Sequence, residues 1–384
     1  MRVMDTASLN RYFSCRPRIF CAPGRVNIIG EHTDYNDGFV MPGAIQLAAR
    51  VAIAPLAAER LEIHSLQFNE SAVVELTAHN AKARTHWSDY VYGVAVTLQR
   101  SGHQLKGAKL LVDSTVPMGA GLSSSAALEI ATALALLANA GISVSRTEIA
   151  RLCQLAENEF VGTRSGIMDQ FASVLARSGH VILLDCRSLH GTYLPFPTQF
   201  RFVVCNTMVK HQLASGEYNK RREECENAIS LLKTQLAGIT ALRDVTLNDL
   251  EAHRHLLSPV LFARAHHVVS ENKRTRKAAF ALEQQDMRAL GQLMQESHIS
   301  LRDDYEVSCS ELNAMVDIAS TVRGNYGTRM MGGGFGGSTI SLVEHDKVDN
   351  FVKEMKDGYL RQTGVTCECY VCAPVAGAHE EVIG

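Results

Sequence analysis

A dense group of hydrogen-bonding side chains lies near the beginning of the chain, in the stretch GRVNIIGEHTDYNDGF. Glu31, His32, Asp34 and Tyr35 occur there beside further Asn and Asp residues. Carboxylates, an imidazole and a phenol are too polar together for a core, and too varied for the solvated face of a helix. The stretch therefore indicates a binding site for a polar ligand, which it does not by itself identify.

A second candidate site is the stretch PMGAGLSSSAA, residues 117–127, between a predicted strand and a predicted helix. Gly119 and Gly121 allow the backbone to approach a ligand closely, and the following helix start offers unpaired N–H groups and a positive dipole end. A helix cap needs one serine, whereas three occur at 123–125. The pattern favours a phosphate-binding loop, and it is not a Walker A loop because no Gly-Lys-Ser/Thr follows.

A third motif, MGGGFGG at 331–337, contains the spacing G-x-G-x-x-G. A dinucleotide-binding loop requires a helix after this spacing, but the β-branched STISLVEH that follows predicts a strand. Five glycines in the six positions 332–337 instead predict a tight turn that packs against another loop or against a ligand.

Two further carboxylates are candidates for catalysis. Asp169 lies in the first turn of a predicted helix behind Gly162 and Gly166, and Glu157 lies near the end of the preceding helix. The helix–turn–helix brings both to one site, where one carboxylate binds a metal and the other accepts a proton. The alternative for Asp169 is that it only stabilises the helix dipole.

These groups must be positioned by a mixed arrangement of strands and helices. The sequence predicts an α/β (α+β) fold, with a strand at 108–116 leading into the phosphate loop, a helix up to Gly141 and a second helix from Ser145 to about Phe160. A short helix IMDQFASVLARSG and a strand HVILLDC follow, then strand FRFVVCNT, helices over about 216–320, and strands on both sides of the glycine turn.

The chain of 384 residues is longer than one core usually grows, so we expect two domains, at 1–178 and 179–384. The net charge of −2 argues against nucleic acid as a partner. The apolar run IATALALLANAGI is shorter than the about 20 residues that span a bilayer, so we expect no membrane contact. Ten cysteines and a beginning without a secretory signal predict a cytoplasmic protein with reduced thiols. In CECYVC a strand is favoured over a metal site.

The three motifs together resemble the GHMP small-molecule kinases, and GRVNIIGEHTDYN narrows the resemblance to the galactokinase family. The segments GIMDQF, LLDCRSL, SGEYNKRREEC and SLRDDYEVSCSEL also resemble that family, in the matching order, so that the resemblance runs from about residue 14 onward. It implies a two-domain GHMP kinase fold with the active site between the domains. It also implies phosphorylation of α-D-galactose by ATP, with Mg²⁺, to give galactose 1-phosphate; we expect a monomer with small molecules as its partners.

The resemblance also implies roles for individual residues. Asp169 is the base and Arg25 stabilises the transition state. Galactose is bound by Glu31, His32, Thr33, Asp34, Gly166 and Tyr218. ATP is bound by Trp87, at the adenine, and by Gly119, Ala120, Gly121, Leu122, Ser123, Ser124 and Ser125 at the phosphates. Mg²⁺ is bound by Ser125 and Glu157.

Two alternatives share the same motifs. One is an N-acetylgalactosamine kinase, whose relatives differ around the Met-Asp-Gln segment, whereas GIMDQFAS and LLDCRSL here follow the galactokinases. The other is a regulator that binds galactose and ATP without turnover. Such regulators lose residues from the LSSSAA loop, and Ser125, Ala126 and Ala127 are all present here. The sequence therefore favours an enzyme.

Overall fold

The structure, a computed structural model, describes residues 4–77, 82–210 and 214–382. The strands are β1 Arg18–Asn27, β2 Phe39–Val40, β3 Pro42–Pro55, β4 Arg60–Ser65, β5 Glu70–Glu75, β6 Ala108–Ser114, β7 His180–Asp185, β8 His190–Pro195, β9 Phe200–Lys210, β10 Asn325–Met331, β11 Gly336–Glu344, β12 Glu368–Cys372 and β13 His379–Glu381. The helices are α1 Thr6–Tyr12, α2 Asp89–Arg100, α3 Ser124–Ala140, α4 Arg146–Leu155, α5 Met168–Leu175, α6 Ala214–Leu232, α7 Leu247–Ala252, α8 Pro259–Glu283, α9 Met287–Asp303, α10 Ser310–Thr321 and α11 Val348–Thr363.

The first sheet has the strand order β13-β1-β3-β6-β4-β5 and carries the first two motifs. β1 is buried along nearly its whole length and pairs antiparallel with β3. Apolar side chains from the sheet, such as Ile53 and Leu110, pack with Ile130 and Leu136 of α3. This core fixes the end of β1, where Arg25 lies, beside the start of α3.

The second sheet has the antiparallel order β10-β11-β9-β12 and carries the glycine turn between β10 and β11. Successive side chains of β9 point to opposite faces of the sheet, and both faces are buried, so the strand contributes to two cores. Phe202 and Val204 pack in the same core as Leu290 of α9, whereas Val203 packs with Phe351 of α11. The turn therefore projects from a sheet that is covered on both faces.

A third sheet, β2-β7-β8, joins segments from both sides of the predicted boundary near 179. β7 pairs with β2 through Val40 and Leu184, and β13 returns near the end of the chain to pair with β1. The strands just after residue 179 thus contact the first half of the chain. The division into 1–178 and 179–384 stays a prediction.

The elements predicted around the site are confirmed, with two differences. β6, α3, β10 and β11 form where the sequence pattern places them, and CECYVC contributes strand β12. α5 forms as well, but it ends at Leu175, four residues before the end of the predicted helix. The second helix ends at Leu155 and continues as one wide π-helical turn, Ala156–Val161, closed by a 2.9 Å bond from Gly162 N–H to the Glu157 carbonyl. Phe160 packs edge-on against Tyr92 there, at 5.1 Å between ring centroids, so packing favours the wider turn.

Over the described residues, none of the helices combines the length and the apolar character that crossing a membrane requires.

Candidate active site

A cavity of about 200 Å³ lies where the polar loop after β1, the segment before α5, the glycine turn and α6 meet. It brings together the two predicted catalytic residues, Glu157 and most of the residues expected to bind the sugar. They line it with a few neighbours: Arg25, Glu31, His32, Asp34, Glu157, Thr163, Ser165, Gly166, Met168, Asp169, Tyr218, Gly332 and Gly333. Residues of the first and third motifs and both candidate carboxylates therefore line one cavity, whereas residues 117–127 of the phosphate loop are not part of its lining.

The carboxylate of Asp169 is held at both of its oxygens. Arg25 Nε donates to Oδ1 at 2.8 Å and Ser123 Oγ donates to Oδ2 at 2.5 Å. Arg25 also donates to the carbonyl of Gly121, and its side chain is 5% exposed, against 24% for Asp169. The phosphate loop thus bonds directly to the carboxylate, and Ser123, predicted only as an ATP contact, orients it.

Close backbone packing makes this contact possible. A Cβ on Gly24 would lie 2.6 Å from the carbonyl oxygen of Leu122, and the next residue, Arg25, donates its backbone N–H to that same oxygen at 3.1 Å. The side chains of Ala120 and Leu122 are buried in the core, and neither residue lines the cavity, so their expected contacts with ATP stay predictions.

Asp34 faces Gly166 at very short range. A Cβ on Gly166 would lie 2.0 Å from Asp34 Oδ2, so the position accommodates only glycine without a shift. Burial, and then the neighbouring charge of Asp169, raise the pKa of Asp34 to about 7, against the opposing effects of backbone hydrogen bonding and Arg25. Asp34 and Asp169, two of the four carboxyl groups that line the cavity, therefore lie in different environments.

His32 is backed by a line of aromatic side chains. Its Nδ1 lies 2.8 Å from the hydroxyl of Tyr35, which lies 2.8 Å from the hydroxyl of Tyr305. Burial lowers the pKa of His32 well below its usual value, so the ring is neutral at pH 7. Its Nε2 is buried and forms no hydrogen bond of normal geometry among the described residues, although the backbone of Gly333 lies close enough to interact with the ring. The ring of Tyr218 lies 5.6 Å from the imidazole between centroids. A ligand in the cavity can therefore supply a better partner for this nitrogen.

Glu31 ties the polar loop to the glycine turn. Oε1 accepts a hydrogen bond from the N–H of Gly332 at 2.5 Å, and Oε2 accepts from Arg329 at 2.6 Å and from Asn27. Arg329 is completely buried and also donates to the carbonyls of residues 27, 28 and 330. Sequence reasoning missed Arg329; the only signal was an arginine inside the apolar strand TRMMG.

Thr33 does not line the cavity. Its hydroxyl is buried and lies 2.8 Å from the carbonyl oxygen of Gly30 and 2.7 Å from that of Phe39. It closes the loop that presents His32 and Asp34, so its expected contact with a ligand stays a prediction that this geometry does not favour.

Glu157 lies at the base of the cavity as a hydrogen-bonded carboxylate. Ser125 and Ser165 each donate to it at 2.9 Å, and Gln170 Nε2 donates at 2.8 Å. Burial, and then the charge of Asp169, raise the pKa of Glu157 above its ordinary value, against these hydrogen bonds. The hydroxyl of Ser125 and the carboxylate together offer the hard oxygen ligands that Mg²⁺ prefers, so the donor set fits that ion.

A second cavity of about 240 Å³ adjoins the first on the other side of Ser125. Trp87, Tyr90 and Phe68 line it, and Gly119 and Ser124 lie at its phosphate-loop end. The rings of Trp87 and Phe68 stack at 5.8 Å between centroids. An apolar, aromatic slot that ends at glycines and hydroxyl groups suits a planar base joined to phosphates. Phe68 carried no sequence signal.

Comparisons with known proteins agree on one family. Residues 9–55 match the "Galactokinase galactose-binding signature", 89–177 the "GHMP kinases N terminal domain" and 278–360 the "GHMP kinases C terminal" family. A galactokinase from Chloroflexus aggregans is 49% identical over 97% of this chain and 95% of its own length. A galactokinase from Haemophilus influenzae is 42% identical, over 93% of each chain.

Solved structures agree with the sequence relatives. The crystal structure of Lactococcus lactis galactokinase complexed with galactose superimposes with a TM-score of 0.94, at 34% identity, over 97% of this chain and 98% of that one. Methanococcus jannaschii mevalonate kinase, at 18% identity, shares the fold with a TM-score of 0.65 over 93% of this chain and 98% of its own. The fold is therefore that of the GHMP kinases.

Proposed function

The chain belongs to the galactokinase family of the GHMP kinases, and on that premise we propose which of its residues carry the reaction. It is a kinase that phosphorylates galactose with ATP. The observation that carries the assignment is the carboxylate of Asp169, which lines the galactose-sized cavity while Ser123 of the phosphate loop donates to it. Asp169 contacts both the cavity for galactose and the loop for the ATP phosphates, so it lies where the phosphoryl group must pass from ATP to the sugar.

Galactose occupies the 200 Å³ cavity in this assignment. Asp34, the Nε2 atom of His32 and Tyr218 offer partners for its hydroxyl groups. A buried polar group that the ligand leaves unpaired costs about 1–3 kcal/mol, so fixed partners select one epimer. Glu31, whose oxygens are already bonded to Gly332 and Arg329, fixes the shape of the pocket.

The anomeric hydroxyl of galactose attacks the γ-phosphorus of ATP. The new bond joins this oxygen to phosphorus, the bond to the β-phosphate oxygen breaks, and ADP leaves. Asp169 accepts the hydroxyl proton, and the product is α-D-galactose 1-phosphate. Arg25, 2.8 Å from Asp169, holds that carboxylate in place and stabilises the charge that develops on the transferred group. Because such transition states are loose, positioning contributes much of the catalysis.

Ser125 and Glu157 hold Mg²⁺, which when bound neutralises charge on the phosphates of ATP. Trp87 and Phe68 enclose the adenine. The metal and adenine assignments rest on the position of Ser125 between the two cavities. Ser125 lines the aromatic cavity, and its hydroxyl donates to Glu157, which lines the galactose cavity.

Ser125→Ala is expected to weaken the use of Mg²⁺-ATP while galactose affinity stays nearly unchanged. The hydroxyl lies on the nucleotide side, and its loss removes a metal ligand and one of the three donors to Glu157. The measurements are the Mg²⁺ dependence of kcat/KM for ATP and the galactose Kd by calorimetry. Ser101→Ala, in an exposed turn, is the control. Loss of galactose binding by a folded Ser125→Ala protein would contradict the assignment.

Gly166→Ala is expected to raise the KM for galactose about 10-fold or more, with a smaller change in the KM for ATP. The new methyl group would lie within 2.0 Å of Asp34 Oδ2, which must leave its position, and an unpaired sugar hydroxyl costs about 1–3 kcal/mol. Steady-state kinetics in both substrates measures the effect. Gly162→Ala is a control because open space surrounds its missing Cβ, although its φ of 96° adds strain there. Equal KM values in Gly166→Ala and wild type would contradict the contact.

An ADP-release assay tests the proposed function across galactose, glucose, N-acetylgalactosamine and arabinose. We expect galactose to be the preferred acceptor and its 4-epimer glucose to react far more slowly, because Asp34 and its neighbours then face a hydroxyl of the wrong orientation. Preference for N-acetylgalactosamine would identify the alternative kinase, and binding without ADP release would identify a sensor. Equal turnover of galactose and glucose would refute the pocket assignment.

We also propose that the protein acts in the cytoplasm as a monomer with two domains. Subcellular fractionation tests the cytoplasmic location, sedimentation of the purified protein tests the monomer, and limited proteolysis near residue 179 tests the two domains.

A further inference from the structure

The basic run NKRTRK, residues 272–277, has no part in the reaction, yet it forms one wall of a separate cavity of about 670 Å³. α8 supplies Lys273, Arg276 and Lys277, which are exposed, while Phe39 of β2 and the segment 243–248 supply the other sides. Residues three and four apart on a helix share a face, so all three cations face the same space.

Charge in this cavity is unbalanced. No Asp or Glu is among the described residues that line it, and within that described part no carboxylate forms an ion pair with Lys273, Arg276 or Lys277. Arg243 is the fourth cation, and it is neutralised by Asp185, to which it donates at 2.5 and 2.9 Å. Three positive charges therefore face one concave surface without a counter-charge.

A buried donor adds to this surface. Asn272 is 9% exposed and lines the cavity, and its Nδ2 is buried without a hydrogen-bond partner among the described residues. Its Oδ1 is already used, because it accepts the N–H of Phe39 at 2.8 Å. The free groups on this surface are therefore all donors, and because a buried donor without a partner is destabilising, an acceptor at this position would be favourable.

We propose that this cavity binds a small phosphomonoester as a second, non-catalytic ligand site. A phosphomonoester presents three acceptor oxygens and a charge near −2 at pH 7, which complements three cations and a free amide. The guanidinium groups of Arg243 and Arg276 lie over the ring of Phe39, 4.5 and 5.8 Å from its centroid, and this ring holds the two cations at the wall of the cavity. The volume lies within the range of small-molecule sites.

The cavity adjoins the loop that carries the galactose-binding residues. A Cβ on Gly38 would lie 2.3 Å from Asn272 Oδ1, and the carbonyl of Phe39 lies 2.7 Å from the hydroxyl of Thr33, next to Asp34. A ligand that moves Asn272 or Phe39 therefore moves the loop, and its binding changes the affinity for galactose. This regulatory part rests on the proposed function, whereas the binding site itself does not.

Calorimetry on the full chain tests the site with galactose, Mg²⁺ and a non-hydrolysable ATP analogue saturating the active site. The probes are galactose 1-phosphate, the product of the reaction itself, glucose 6-phosphate as an unrelated source of the same group, and sulfate. We expect saturable binding of at least one ester, weakened by added salt. The ester that binds more tightly shows whether the site prefers the product of the reaction or a phosphomonoester from elsewhere. Absence of ester binding to the wild type, or equal binding of sulfate, would overturn the proposal.

The matched variants locate the site. Lys273→Gln/Arg276→Gln/Lys277→Gln is expected to weaken ester binding about 10-fold or more, because charge-assisted hydrogen bonds are lost. The control Lys353→Gln/Lys356→Gln/Arg361→Gln removes the same residue types from the exposed face of α11 and is expected to bind like wild type. Equal loss in both variants, or in neither, would overturn the proposal.

A linkage measurement tests the regulation. The factor by which the ester changes the Kd for galactose must equal the factor by which galactose changes the Kd for the ester. Ester binding that leaves the Kd for galactose unchanged would overturn the regulatory part. Failure of galactose phosphorylation with intact ester binding would instead refute the proposed function alone.

Discussion

Asp169→Asn is expected to lower kcat by about 10²–10⁴-fold, the usual effect of losing a general base. Asparagine keeps the size of the side chain, and its amide oxygen still accepts a hydrogen bond, but it cannot take the proton of the sugar hydroxyl. Galactose binding should persist, because His32, Asp34 and Tyr218 are unchanged and line the cavity independently. Single-turnover kinetics and the galactose Kd by calorimetry measure the two effects separately.

The opposing hypothesis is that Asp169 only stabilises the dipole of α5, in whose first turn it lies. In that case the substitution would cost about 0.3–1 kcal/mol of stability and leave kcat almost normal. Asp349→Asn is the matched control, since Asp349 is an exposed acid in the first turn of α11, outside the cavity. A folded Asp169→Asn protein with a kcat close to that of Asp349→Asn would refute the proposed base.

Arg329→Met is expected to lower the free energy of unfolding by about 3–5 kcal/mol, the usual loss when one partner of a buried ion pair is removed. The substitution leaves Glu31 almost fully buried without its charged partner, and three backbone carbonyls lose their donor. Equilibrium unfolding in urea, with coincident fluorescence and circular dichroism transitions, gives the value.

Two further variants distinguish the effect of losing the buried ion pair from the effect of a general loss of packing. Arg302→Met breaks an exposed pair with Asp303 and is expected to change stability by about 0–1 kcal/mol. Glu31→Gln/Arg329→Met removes the stranded charge and is expected to recover part of the loss, which a double-mutant cycle measures. A cost for Arg329→Met no larger than that for Arg302→Met would show that the pair does not hold the glycine turn to the polar loop.

The sequence determined those features that depend on neighbours in the chain. The strand 108–116, the helix that begins in the serine run 123–125 and the glycine turn were predictable, because hydrophobic period and glycines act locally. The serines themselves do not cap the helix, since the N-cap residue Ser123 forms no side-chain cap bond and donates to Asp169 instead. Rejection of a dinucleotide site was predictable as well, since a strand follows the turn. The π-helical turn at Ala156–Val161 was not, because it depends on how Phe160 packs against Tyr92.

The tertiary structure decided which partner each polar side chain has. Glu31 bonds to Arg329 and Gly332, which lie 298 and 301 positions away, and Ser123 bonds to Asp169 across 46 positions. The types of these residues indicated a polar site, but a carboxylate that binds a sugar and one that anchors a loop look the same in a sequence. Only the packing of distant segments, which sets the distance and burial of each pair, distinguishes the two roles.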